Sequence, residues 1–446
     1  MKILVVGSGP WPLELGAVVT GPSIRLRQFV EPLLKAKHDV GVILLEEERR
    51  SSVPIRGVFG AEGFTPDQIL DPEYLRKSIE CQFVDAVFGV GSLMPAAAAC
   101  RLASLLDVAC WVDFFGDPMA ELHAAQLRQG GAPDTTARDH IWKFVREGLL
   151  RGDAFSSVSA PQRHAILGQV GLLGRYGIDW EVCRRVHEIP CAVPAKWTES
   201  VELPEFPGIL RDYGMEEGAR YVFFGGSWNV WLDEVTMGRA LAIALRDDPA
   251  LRFVCAGIPT GPAGKQIHAS LFKSLSEFAD TGRLVDIPPG TPVEESALLA
   301  HAGACLSLDR AIPEAEMGSR NRLMAMVRWG ARPVVSMEAG IETLLVAEGL
   351  AAGIAAGNAD RAAREILSAC ARTPTQREAD RAAGLDWLRS ITFERTLEPA
   401  IHWLAANAPR WPAMPGEGML DRWSAFPADP AKLFEGPPQK KGWFFR

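Results

Sequence analysis

Residues 305–336, CLSLDRAIPEAEMGSRNRLMAMVRWGARPVVS, constrain the fold more than any other part of the chain. An apolar run at 305–308 predicts a buried strand, and an acidic loop carries Asp309, Glu314 and Glu316. A short helix is expected over 320–329, then a Gly-Ala-Arg-Pro turn and a second buried strand at 333–336. Strand, helix, strand in so short a span is a βαβ unit, and such units build parallel sheets. The helix opens on Arg320 and Arg322. A helix N-terminus presents free N–H donors and the positive end of the dipole, so two arginines there suit a diphosphate. The same pattern also describes a charged helix start facing water.

Strand-like runs recur on both sides of this unit. They are expected at 3–6, 40–45, 84–90, 108–112, 154–158 and 186–189 in the first half of the chain. In the second half they fall at 221–224, 253–256 and 284–287, with helical segments between. Residues 190–218 break the rhythm with Pro190, Pro194, Pro204 and Pro207, which makes them a linker. The 446 residues therefore divide into two Rossmann-like α/β halves, 1–195 and 219–390. A segment at 391–446 adds a helix and a Pro- and Trp-rich tail that wraps back over the first half or lacks fixed structure.

The chemistry-bearing residues cluster at strand ends, where open parallel sheets bind ligands. The first strand runs into Gly7-Ser8-Gly9-Pro10, which is not a G-x-G-x-x-G motif and has no helix directly behind it. Gly21-Pro22-Ser23 precedes a helix with Ser23 as candidate N-cap, and Arg25 sits in its first turn, facing the strand ends. The strand at 108–112 enters Asp113-Phe-Phe-Gly-Asp117-Pro118, two carboxylates suited to proton handling or to gripping sugar hydroxyls. Asp117 equally suits an N-cap of the helix that starts at Pro118. In the second half, Gly225-Gly226-Ser227-Trp228-Asn229 links strand to helix. Its glycines admit close backbone approach to a phosphate, and Ser227 and Asn229 can donate hydrogen bonds to it. Trp228 and Trp231 suit packing, and His187 and His301 suit structural roles.

Composition excludes several classes. A net charge of −8 without a basic stretch argues against nucleic acid as a partner. The eight cysteines form no C-x-x-C pair and lie mostly in apolar runs, as reduced core residues of a cytoplasmic protein do. No apolar run is long enough to span a membrane, and MKILVVGSG is not a signal peptide. No His/Cys/Asp/Glu group has metal-ligand spacing, so no metal cofactor is expected.

Five segments in order resemble bacterial glycosyltransferases of the GT-B fold, in the broad GT4-like group. They are GPSIRLRQFVEPLLKAKHDVGVI, WVDFFGDPMAE, AFSSVSAPQRHAILGQVGLLGR, FFGGSWNVWLDEVTMGRAL and SRNRLMAMVRWGARPVV. The resemblance covers about residues 1–406. It implies two Rossmann-like domains around a cleft, with C-terminal helices returning to the first. It also implies transfer of a sugar from a nucleotide sugar to an unidentified acceptor, metal-independent and with retention. By the same resemblance Gly225, Gly226, Ser227, Asn229, Arg320, Arg322 and Glu316 bind the donor. Asp113, Asp117 and Glu314 are catalytic, and Pro10, Gly21 and Arg25 line the acceptor side. Ala325 stands where the family has an acid that holds the ribose, and Asp309 where relatives often carry histidine. A nucleotide-sugar epimerase and a non-catalytic nucleotide-sugar-binding subunit are the competing readings.

Overall fold

The computed structural model describes residues 1–14, 19–78, 83–91, 93–130, 134–175, 184–259, 261–288, 292–338 and 340–411. Residues 1–410 form one compact unit, and the chain from Trp411 is a second unit. The tail over 412–446 lies outside the described residues, as do Cys81 and Cys183. The other six cysteines are unpaired and buried.

The main unit contains two sheets. The first has seven strands: β1 (Lys2–Ser8), β2 (Asp39–Leu45), β3 (Gly60–Phe64), β4 (Ala86–Gly89), β5 (Ala109–Phe114), β6 (Ala154–Ser157) and β7 (Val186–Glu188). Their spatial order is β3-β2-β1-β4-β5-β6-β7, and every pairing is parallel. The second has six: β8 (Tyr221–Ser227), β9 (Arg252–Ile258), β10 (Leu284–Asp286), β11 (Ala304–Ser307), β12 (Arg332–Ser336) and β13 (Ala352–Ile354). Their order is β10-β9-β8-β11-β12-β13, again wholly parallel. Both are open, doubly wound sheets. The strand order reverses beside β1 and β4 in one and beside β8 and β11 in the other, the two places where such sheets hold ligands.

The central strands are apolar on both faces because helices cover both faces. Val222 and Phe224 of β8 join one core with Leu306, Val334 and the helix Glu234–Asp247, whereas Tyr221 and Phe223 join the opposite core. The edge strands β3 and β13 escape sequence analysis for a physical reason. GAEGF and AGI carry too few β-branched or aromatic residues to signal a strand, and pairing to an apolar neighbour makes them one.

Local corrections concern helix starts. The helix Gly21–Lys35 is capped by Thr20, not Ser23. Ser23 is the reciprocal member of the capping box: its N–H donates to Thr20 Oγ1 at 3.3 Å, and Thr20 N–H donates to Ser23 Oγ at 2.9 Å. The acidic loop of the βαβ unit contains a one-turn helix, Pro313–Met317, and the following helix covers only Arg322–Arg328.

Two crossings join the halves side by side. Val193 N–H donates to Ile391 O at 3.1 Å, and Phe393 N–H donates to Val193 O at 2.8 Å. Beyond them the helices Phe393–Thr396 and Glu398–Ala405 return to the first sheet. Leu397, Ala400, Trp403 and Leu404 enter its core, where the Trp403 ring meets Phe88 and Trp111 edge-on at 5.7 and 5.4 Å. Among the described residues, no helix is long and apolar enough to cross a membrane.

Candidate active site

At the end of β5, Asp113 is fully buried and meets an equally buried Arg25. Arg25 Nε and Nη2 donate to the two carboxylate oxygens at 3.0 and 2.7 Å, and Ser156 Oγ donates to Oδ1 at 2.6 Å. The network extends to the crossing. Arg25 Nη1 donates to Pro190 O at 3.3 Å and to Gln28 Oε1 at 3.0 Å, and Gln28 Nε2 donates to Pro190 O and to Thr396 Oγ1. Both carboxylate oxygens are taken and water is excluded, so neither Asp113 nor Arg25 faces a cleft. The pair ties the first helix, the sheet and both crossings together. Asp117 takes the N-cap position that the sequence also allowed. Its Oδ1 accepts from Met119 and Ala120 N–H at 2.9 Å, capping the helix Pro118–Arg128.

The second sheet arranges its charges differently. Arg320 is buried between two acids: Nε donates to Asp309 at 2.6 Å, and Nη1 and Nη2 donate to Glu314 at 3.1 and 2.8 Å. Burial lowers the pKa of Arg320, but Asp309, Glu314 and Glu342 outweigh that and raise it, so it stays charged. Its donors are occupied within the protein, and both Glu314 oxygens are occupied with them. Glu316, in the same one-turn helix Pro313–Met317, is exposed.

Arg322 lies two residues further on and is only half satisfied. Nη2 donates to Ser227 O at 3.1 Å, and the guanidinium lies 5.3 Å from the centre of the Phe224 ring. Nη1 is buried with no hydrogen-bond partner. Burial lowers its pKa, Asp309 opposes that and Arg320 adds to it. A buried guanidinium with an unmade hydrogen bond is costly, and an anion relieves the cost. Opposite it are Gly225, Gly226 and Ser227, which are the last residues of β8, still paired to β9, and not the expected turn. Gly226 has φ +91°, a conformation that L side chains rarely adopt, and a Cβ there would come within 3.8 Å of the Arg322 guanidinium. Asn229 follows, half-buried at the rim.

Two carboxyls not foreseen as site residues border this cluster. Glu342, second in the helix Ile341–Ala347, is pushed up to about 8 by burial, with Arg320 opposing and Asp309 adding. Glu121, from the helix Pro118–Arg128, is pushed up to about 8 by burial, then by Glu314, with Arg320 opposing. Both acids are neutral at pH 7. Glu121 is hidden by its distance in sequence from the βαβ unit, whereas Glu342 follows that unit closely, in the short helix Ile341–Ala347 that the sequence analysis does not place.

The halves touch here. Ser159 Oγ donates to Met317 O at 2.7 Å, and Arg128 donates to Val230 O at 2.8 Å and pairs with Glu234 at 2.6 Å. A Cβ on Gly21 would stand 3.2 Å from Phe115 and 3.6 Å from Asn321, the neighbour of Arg322. The fold thus brings Gly21 against Asn321 of the second half, whereas Pro10 follows the end of β1. Trp228 is buried in the core, as its packing role requires, and His301 binds Pro204 O at 2.8 Å beside Phe206.

A separate grouping went unseen because its members are far apart in sequence: Cys255, His268 and Asp286 converge within 4.8 Å. A surface hollow of about 740 Å³, lined by Gly238, Arg246, Ser274 and Asn358 among others, contains none of the site residues named above.

No family model and no curated protein matches the chain. Solved structures do. The N-terminal domain of Candida albicans trehalose-6-phosphate phosphatase aligns with TM-score 0.67 at 10% identity, over 92% of this chain and 97% of that one. Sucrose-phosphate synthase from Thermosynechococcus elongatus gives 0.65 at 12%, over 91% and 99%. Anabaena HepE, solved in complex with UDP-glucose, gives 0.64 at 14%, over 91% and 100%. With nearly full coverage of both chains and two doubly wound parallel sheets in order, the protein has the GT-B fold of two Rossmann-like halves.

Proposed function

We propose that the chain is a glycosyltransferase that moves a sugar from a nucleoside-diphosphate sugar to an acceptor, with retention and without a metal. The observation that carries this reading is the unmade hydrogen bond of buried Arg322 Nη1, aimed beside the Gly225-Gly226-Ser227 end of β8 at the reversal point of the second sheet. HepE, of the same fold, was solved with UDP-glucose, so a uridine diphosphate sugar is the first donor to try.

The chemistry follows from the charges. Departure of the diphosphate leaves negative charge on the bridging oxygen and positive character at the sugar carbon. Arg322, already desolvated and oriented, stabilises the leaving group without reorganising. The glycine end of β8 lets backbone approach the phosphates, as a side chain at 226 would not. Glu342 and Glu121, neutral at pH 7, sit near the anion without repelling it and can donate a hydrogen bond to a sugar or phosphate oxygen. Arg320, Asp309 and Glu314 form the fixed frame that holds them. Entry of the donor requires the halves to separate at the Ser159–Met317 and Arg128–Glu234 contacts.

The test incubates purified protein with UDP-glucose and other nucleotide sugars, alone and with a panel of sugar, sugar-phosphate and lipid-linked acceptors. Release of nucleoside diphosphate with a new glycoside supports the reading, and NMR of the product's anomeric proton reports retention or inversion. A new nucleotide sugar formed without any acceptor identifies an epimerase instead. Tight donor binding without turnover on any acceptor identifies a binding subunit.

A further inference from the structure

β9, the helix Gly261–Ser274 and β10 form one βαβ unit at the edge of the second sheet. Asp286 and Cys255 are register partners on neighbouring parallel strands, so their side chains leave the sheet on the same face. His268 comes from the helix that crosses between those strands. Its Nε2 lies 3.0 Å from Asp286 Oδ2, and the donor atoms of all three residues lie within 4.8 Å of one another. Aromatic packing fixes the imidazole: Trp228 meets it edge-on at 5.1 Å, and Phe272 lies 4.6 Å away.

We infer that Cys255, His268 and Asp286 form a binding site for a thiophilic divalent cation of the zinc class, separate from the sugar-transfer site. A thiolate, an imidazole and a carboxylate are the donor types zinc takes, and three protein ligands leave a fourth position for water. Tetrahedral bonding at about 2.0–2.3 Å brings donors to roughly 3.3–3.7 Å apart, so on binding the His268–Asp286 pair, at 3.0 Å, opens slightly while any wider separation to the sulfur closes by up to about 1 Å. Access is open from one side only. The Asp286 and His268 side chains are 44% and 22% exposed, while Cys255 is buried. On binding, the thiol releases its proton to solvent, and thiolate and carboxylate balance the two positive charges. An ordinary His268–Asp286 ion pair accounts for two of the three groups, but not for a soft donor placed against both from the strand beneath. Occupancy ties β9, the crossover helix and β10 together.

The experiment titrates the full-length, chelator-treated protein with Co²⁺, a spectroscopic substitute for Zn²⁺. The expected result is a thiolate-to-cobalt charge-transfer band saturating at one ion per chain and abolished by Zn²⁺, with Zn²⁺ also raising the Tm. Cys255→Ser should lose the band, and His268→Ala and Asp286→Asn should each weaken Co²⁺ binding at least tenfold. Cobalt bound without that band is adventitious surface binding only and overturns the site, as does a band that survives in Cys255→Ser. If Cys255→Ser fails to fold, the exposed Asp286→Asn decides: unchanged Co²⁺ affinity in it overturns the inference. Nucleotide-sugar turnover plays no part in this readout, so the two proposals fail independently.

Discussion

The two sheets pose the same arrangement at their strand ends and resolve it oppositely. In the first, the acid leaving β5 meets an arginine from the covering helix, and both carboxylate oxygens and all the guanidinium nitrogens have partners. In the second, two arginines stand two positions apart. Arg320 is as fully occupied as Arg25, whereas Arg322 retains a buried nitrogen with nothing to bind. The comparison teaches that burial and charge alone do not mark a ligand site. A satisfied ion pair is architecture, whereas a buried guanidinium with an unmade hydrogen bond is the arrangement that the proposed donor site rests on.

The largest effect expected from this contrast falls on the first sheet. Asp113→Asn leaves Arg25 charged, buried and uncompensated beside the crossing, so it should destabilise the protein by about 3–5 kcal/mol. Chemical denaturation measures it; an unchanged midpoint would show that the pair is not architectural. Arg322→Ala comes next. It should weaken nucleoside diphosphate binding by about 1.5–3 kcal/mol in calorimetry, the range for hydrogen bonds to charged groups, while costing less stability than Asp113→Asn. A nucleoside that binds as well as its diphosphate would remove Arg322 from the donor site.

The third test uses the raised carboxyls. Glu121 and Glu342 titrate near 8 in the fold and near 4.5 when unfolded, so between those values the folded state holds more protons. Stability should therefore fall as pH rises from about 4.5 to 8 and level off above, with a limiting slope of about 1.4 kcal/mol per pH unit for each group. Glu121→Gln and Glu342→Gln should each flatten the profile of Tm against pH. A slope identical in both variants would place the titration elsewhere. The smallest effect is at Asp117, where loss of the N-cap in Asp117→Ala should cost about 1 kcal/mol. A loss of turnover far beyond that loss of folded protein would restore a catalytic role to Asp117.

Local chemistry made much of this molecule legible in its sequence. The segments around β8, β11 and β12 announce parallel strands, because burial on both faces demands unbroken apolar runs. The Pro-rich break at 190–218 separates two such series. Trp228 was correctly legible as core. What the sequence could not say is which charges are spent. Asp113, Asp117, Arg320 and Glu314 look like Arg322 to any reading of spacing, because a carboxylate or guanidinium at a strand end has the same local context whether its partner is a ligand or another side chain. The partners come from 88 residues away for Arg25 and Asp113. They come from different helices for Glu121 and Glu342, and from three elements of one βαβ unit for Cys255, His268 and Asp286. Only packing brings these groups within hydrogen-bond or ligand distance and excludes the water that would otherwise satisfy them, and so only the tertiary structure decides which polar groups are complete and which still need a partner.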